Sequence, residues 1–118
     1  MAIRTKLDIE VYEGDDQSFE FTLYTDSAQT QVWDVSAASQ IRMGVKASYR
    51  STGLLFYIDA VNGENGNNWA EGEVVFVMTA NNAMMVTEGA IYDCQVTLDS
   101  KKTTPVYGEV RLVRQVTP

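Results

Sequence analysis

Apolar and polar residues alternate along the last third of the chain. Tyr92, Cys94, Val96 and Leu98 share one parity, while Asp93, Gln95, Thr97 and Asp99 share the other. Side chains alternate across a strand, so this period predicts a β-strand with one buried face and one wet face. After a break at Ser100-Lys101-Lys102, Val106, Val110 and Leu112 mark the inner face of a second strand, and the two predict a terminal hairpin.

The same period recurs upstream. Over residues 5–13, Leu7, Ile9 and Val11 alternate with Lys6, Asp8, Glu10 and Tyr12, and Gly14-Asp15-Asp16 supplies turn chemistry. Residues 17–24 place Phe19, Phe21 and Leu23 inward. Residues 25–31 form a polar loop, and Val32-Trp33-Asp34-Val35 predicts a short strand or edge segment. Residues 40–46 predict a strand with Ile41, Met43 and Val45 inward and Arg42 and Lys46 outward.

The middle of the chain departs from this rule. Residues 54–58 and 74–78 are apolar on both parities. A sandwich interior covers only one face of a strand, so the surplus face is expected to meet another protein. Leu55, Tyr57, Val75 and Val77 are the residues expected at that interface, most simply in a homo-oligomer. The Asn-rich connection over residues 62–68 predicts a mobile hairpin tip, with no large apolar side chain before Trp69 to cover that face. Thr79 is placed to cap one helical turn, with Met84 or Met85 plugging the end of the fold. Short, regularly spaced strands without a long helical period predict an all-β sandwich of about seven to eight strands. Residues 1–118 read as one domain.

Composition narrows the chemistry. With 118 residues, 45% of them hydrophobic, the chain can build a core without staples. Its single cysteine, Cys94, allows no intrachain disulfide and reads as a small buried hydrophobe. No apolar run has signal-peptide or transmembrane length, so no membrane partner is expected and the product stays in the cytoplasm where it is made or leaves by another route. The formal charge of −7, with 9 scattered Lys and Arg residues, argues against a nucleic-acid surface. The absence of histidine excludes Ser-His-Asp and Cys-His arrangements and any histidine-containing metal site. No Gly-Lys-Ser/Thr phosphate loop is present. Neither an enzyme nor a cofactor is expected.

Three weaker constellations remain. Glu13, Asp15 and Asp16 could form a carboxylate pair for glycoside chemistry, although a solvated turn explains them more simply. Asn62, Glu64, Asn65 and Asn67 supply oxygens for calcium but miss the spacing of a calcium loop. Trp33, Trp69, Tyr12 and Tyr24 could form a sugar-stacking platform, against the simpler reading of core or interface packing.

The approach to the first C-terminal strand, Glu88-Gly89-Ala90-Ile91-Tyr92-Asp93-Cys94, has the layout of the tyrosine corner of immunoglobulin-type sandwiches. It implies that the Tyr92 hydroxyl bonds to backbone within residues 81–89 and that Cys94 points into the core. Further stretches line up in order: Gly14-Asp15-Asp16-Gln17-Ser18-Phe19-Glu20-Phe21-Thr22-Leu23, Trp33-Asp34-Val35-Ser36-Ala37-Ala38 before an Ile41-Arg42-Met43 strand, Gly72-Glu73-Val74 leading to the Thr79-Ala80 turn, Gly89-Ala90-Ile91-Tyr92-Asp93, and Pro105-Val106-Tyr107-Gly108-Glu109-Val110 running to Val116-Thr117. Together they resemble the small immunoglobulin-like structural domain of tailed bacteriophages, found in upper baseplate proteins and at the base of tail or head fibres. Unlike such proteins, the sequence given continues into no fibre or receptor-binding region, and residues 54–71 are unusually long and apolar-then-Asn-rich. The resemblance implies a non-enzymatic virion protein, assembled in the host cytoplasm, that docks on other virion structural proteins as a decoration, adaptor or attachment module. A carbohydrate-binding module for attachment to a cell surface is the alternative expectation.

Overall fold

Most alternating stretches become strands, and their apolar parities face one another across two sheets. The structure is a computed structural model, and it describes residues 4–114. Its strands are β1 (Thr5–Lys6), β2 (Ile9–Tyr12), β3 (Gln17–Thr22), β4 (Gln40–Lys46), β5 (Phe56–Asp59), β6 (Glu73–Met78), β7 (Ile91–Leu98) and β8 (Lys101–Val113), with one short helix, α1 (Ala80–Met85). The larger sheet has the order β1-β8-β7-β4-β5, with β2 also on β8, and the smaller sheet pairs β3 with β6. This is the strand order of an immunoglobulin-like sandwich. Ile41, Met43 and Val45 on β4 and Tyr92, Cys94 and Val96 on β7 meet Phe21 on β3 and Val74, Phe76 and Met78 on β6, all buried. Each such large side chain contributes roughly 1.5–3 kcal/mol. Cys94 lies in this core, and burial pushes its thiol up.

The β7–β8 hairpin turns earlier than the Ser100-Lys101-Lys102 break suggests. Leu98 pairs with Lys101, so Asp99 and Ser100 alone make the turn, with φ of 51° and 64°. Two positive φ angles give the turn whose twist matches the flanking strands. The register then shifts by one between Cys94↔Val106 and Val96↔Thr103. Pro105 sits within this bulge on β8, where its missing N–H leaves no rung unmade.

The N-terminal stretch is not one continuous strand, and it is parallel, not antiparallel, to its neighbour. β1 and β2 both pair with β8 in parallel, in one constant register from Thr5↔Val106 to Tyr12↔Val113, and break at Leu7 and Asp8. There the Leu7 N–H donates to the Tyr107 carbonyl (2.8 Å), and the Asp8 carboxylate accepts the Glu109 N–H (2.9 Å). The Leu7 carbonyl turns away to accept the Tyr92 hydroxyl. Leu7 is consequently exposed and not inward. The corner is closed by the start of the chain, not by residues 81–89.

Gly108 makes that contact possible. A Cβ there would lie 2.3 Å from the Leu7 oxygen, so the carbonyl reaches Tyr92 only across a residue without a side chain. Burial raises the pKa of the Tyr92 phenol and keeps it a donor.

Two further expectations change. Thr79 does cap α1, its hydroxyl accepting the Asn82 N–H at 3.2 Å, but Met84 and Met85 are exposed. The short helix turns Ala83 inward, with Val86 just beyond it. Val32 forms only an isolated bridge to Tyr24, not a strand.

Candidate functional site

The residues expected at one interface fall on different surfaces. Phe76 faces the core, which leaves Val75 and Val77 on the outer face of the small sheet. Val77 is 43% exposed, but Val75 is only 6% exposed and is covered by the molecule's own arm over residues 62–68. That arm is built, not loose. The Asn67 amide donates to the carbonyls of Glu64 (2.8 Å) and Val75 (3.0 Å), and its oxygen accepts from Val75 N–H (2.8 Å) and Trp69 Nε1 (3.1 Å). Self-covering therefore accounts for half of the outward apolar parity on β6, because an amide side chain can stand in for a strand rung without apolar bulk.

Those bonds also bear on the other constellations. The Asn67 and Asn62 oxygens accept from N–H groups, Asn62 from the Trp69 N–H at 3.1 Å, so both are committed to donors and not to a cation. Among the described residues, no group of three or more His, Cys, Asp and Glu is placed to hold a metal ion. Trp69 is buried and Trp33 packs against the core, so the four aromatics considered for sugar stacking form no platform. Asp16 accepts the Ala80 N–H (2.7 Å) at the start of α1, and Glu13 pairs with Arg114 (3.3 Å). Both carboxylates are engaged by the molecule's own groups.

Leu55 and Tyr57 belong to the other sheet. Leu55 packs against the core, whereas Tyr57 stands 52% exposed on the outer face of β5. β5 ends the large sheet, so among the described residues its far edge has no strand partner. The Ala60 N–H donates to Ile41 (3.0 Å), and with the pairs Ile58↔Met43 and Phe56↔Val45 this fixes the alternation of rungs. Tyr57 and Asp59 thus direct their backbone N–H and C=O groups to the free side. Arg42 braces the strand: it holds Asp59 through two bonds (2.7 and 3.0 Å) and lies 3.7 Å from the Tyr57 ring centre. Leu54, just before the strand, is 46% exposed, and Val61 just after it is also exposed. The free edge of β3 differs. Its outward residues are Ser18, Glu20 and Thr22, all polar.

Next to β5, the outer face of the large sheet carries a depression of about 240 Å³. Register places Gly44 beside Asp93 and Asp93 beside Tyr107, so one row crosses β4, β7 and β8. Gly44 leaves the floor open, and Leu54 leans over it. Tyr49 and Tyr107 stand at the walls, with Arg4 and Lys46 at the rim. Asp93 is half-buried, and burial raises its carboxyl above the ordinary value against the opposing pull of Lys46 and Arg4. Periodicity had marked Asp93 only as outward. Nothing in the sequence placed Tyr49, at a loop, or Gly44, within an apolar strand, beside it.

No family model matches the chain, and no curated protein matches it significantly.

Proposed function

We propose that the protein is a non-enzymatic docking module that joins a second copy of itself, and then other structural proteins, through the free edge of β5. The observation that supports this most directly is the chemistry of that edge. Proteins that stay monomeric blunt exposed edges with lysines, prolines, bulges or inward charges. Residues 54–61 carry a single charge, Asp59, already neutralised by Arg42, and expose Leu54, Tyr57 and Val61 beside unpaired backbone groups. Backbone pairing across such an edge gives affinity, and the flanking apolar side chains give register. Two copies meeting antiparallel at β5 would be related by a twofold axis, which closes the assembly. The sequence resemblance suggests the setting, a tailed-phage particle in which the neighbours are virion proteins.

Light scattering over a concentration series tests this reading. The chain is expected to form a dimer, and Tyr57→Lys combined with Leu54→Lys to give a monomer with an unchanged circular dichroism spectrum. A chain that stays monomeric at high concentration would rule out the β5 contact.

A further inference from the structure

We infer that the depression over Gly44 and Asp93 is a binding site for one hydroxylated ring, a sugar residue. The carboxylate at its centre makes no hydrogen bond and no ion pair with any described residue, although it is half-buried. A partly desolvated carboxylate left unpartnered is costly, and such groups in clefts mark functional sites. Arg4 and Lys46 stand close enough to favour its ionised form yet form no salt bridge with it.

The arrangement selects among ligands. An ammonium group would satisfy Asp93 but meet two cations. A carboxylate would satisfy the cations but face Asp93. A hydroxyl both donates and accepts, so adjacent hydroxyls on one ring can give hydrogens to Asp93 and take them from Lys46 or Arg4. The walls suit the same ligand, because Tyr49 and Tyr107 offer aromatic surface to its C–H face. Arg4 lies 4.6 Å from the Tyr107 ring centre and holds that wall in place. At about 240 Å³ the volume takes a single ring and not a drug-sized molecule, whose pockets run to roughly 300–1,000 Å³. Gly44 is what keeps the floor open: a Cβ there would come 3.1 Å from Leu54 and 3.6 Å from the Asp93 oxygen. This surface adjoins the free edge of β5 and shares Leu54 with it, but Asp93, Tyr49 and Tyr107 lie off that edge, so its occupancy can be read on a monomer.

The test is saturation-transfer NMR on the whole chain with methyl glycosides of glucose, galactose, mannose and N-acetylglucosamine. n-Butylamine and N-acetylglutamine methylamide serve as ammonium and amide probes. At least one glycoside is expected to give saturable transfer to its ring protons. Asp93→Ala should weaken that binding by about tenfold or more, since hydrogen bonds to a charged acceptor are the stronger kind. Tyr49→Ala, at a largely exposed wall position, should weaken it without touching the fold, and Glu20→Ala on the opposite sheet should leave it unchanged. Absence of transfer to every glycoside, stronger binding of either probe, or glycoside binding that survives both Asp93→Ala and Tyr49→Ala would overturn the assignment.

Discussion

Tyr92 ties the two sheets and the start of the chain together. Its ring stacks on Phe21 of the opposite sheet at 6.0 Å between centres, and its hydroxyl holds the Leu7 carbonyl 85 residues away. Tyr92→Phe keeps the ring but leaves that carbonyl unpaired, which costs about 1–3 kcal/mol. Gly108→Ala attacks the same bond from the other side, because the new methyl group occupies the path of the Leu7 backbone. Both variants are expected to lower the denaturant midpoint. The double variant should fall no further than the worse single one, since each removes the same contact. Additive losses would show that the two residues act separately. The sequence pattern did signal a buried tyrosine at the entry to β7. Its partner was illegible there, because the start of the chain and β8 meet through parallel pairing, which carries no local turn signal.

Among the elements, the strands with one clean apolar face were the most legible. β4 over Gln40–Lys46 and β7 over Ile91–Leu98 bury the parities that alternation assigns them. The arm over residues 62–68 was the least legible. It reads as a loose tip because its order comes from amide side chains bonded to backbone, and such bonds leave no period in a sequence. The structure makes Asn67 the piece that holds the arm on β6. Its two N–H groups and its oxygen all have partners, so no bonding capacity is left over. Asn67→Ala should destabilise the domain by about 2–3 kcal/mol or more, because the Val75 N–H and Trp69 Nε1 lose their acceptor in a dry place. It should also expose Val75 and raise the binding of a hydrophobic dye to the native state. An unchanged denaturation curve would mean that the arm is held by something else. The misplaced methionines have a simpler cause: a helix of six residues turns few side chains inward, and Ala83 takes the inner position.

At the scale of the whole molecule, the two long edges of the large sheet have different duties. One edge is β5, apolar and open; the other carries β1 and β2 on β8. A partner joined at β5 therefore sits at the far side of the sheet from the strands that bear the two ends of the chain. Those strands run parallel, and this has a mechanical consequence. Pulling the two ends apart drags β2 and β8 in opposite directions along their own axes, so the rungs from Ile9↔Val110 to Tyr12↔Val113 are loaded together, in shear. Gripping the start of the chain and the Asp99–Ser100 turn instead draws both strands from their leading ends and peels the rungs singly. Single-molecule stretching should give a clearly higher rupture force in the first geometry, and equal forces would show that the clamp does not form. A module fastened at both ends within a larger particle would then transmit tension through the β2–β8 seam while its β5 edge stayed unstrained.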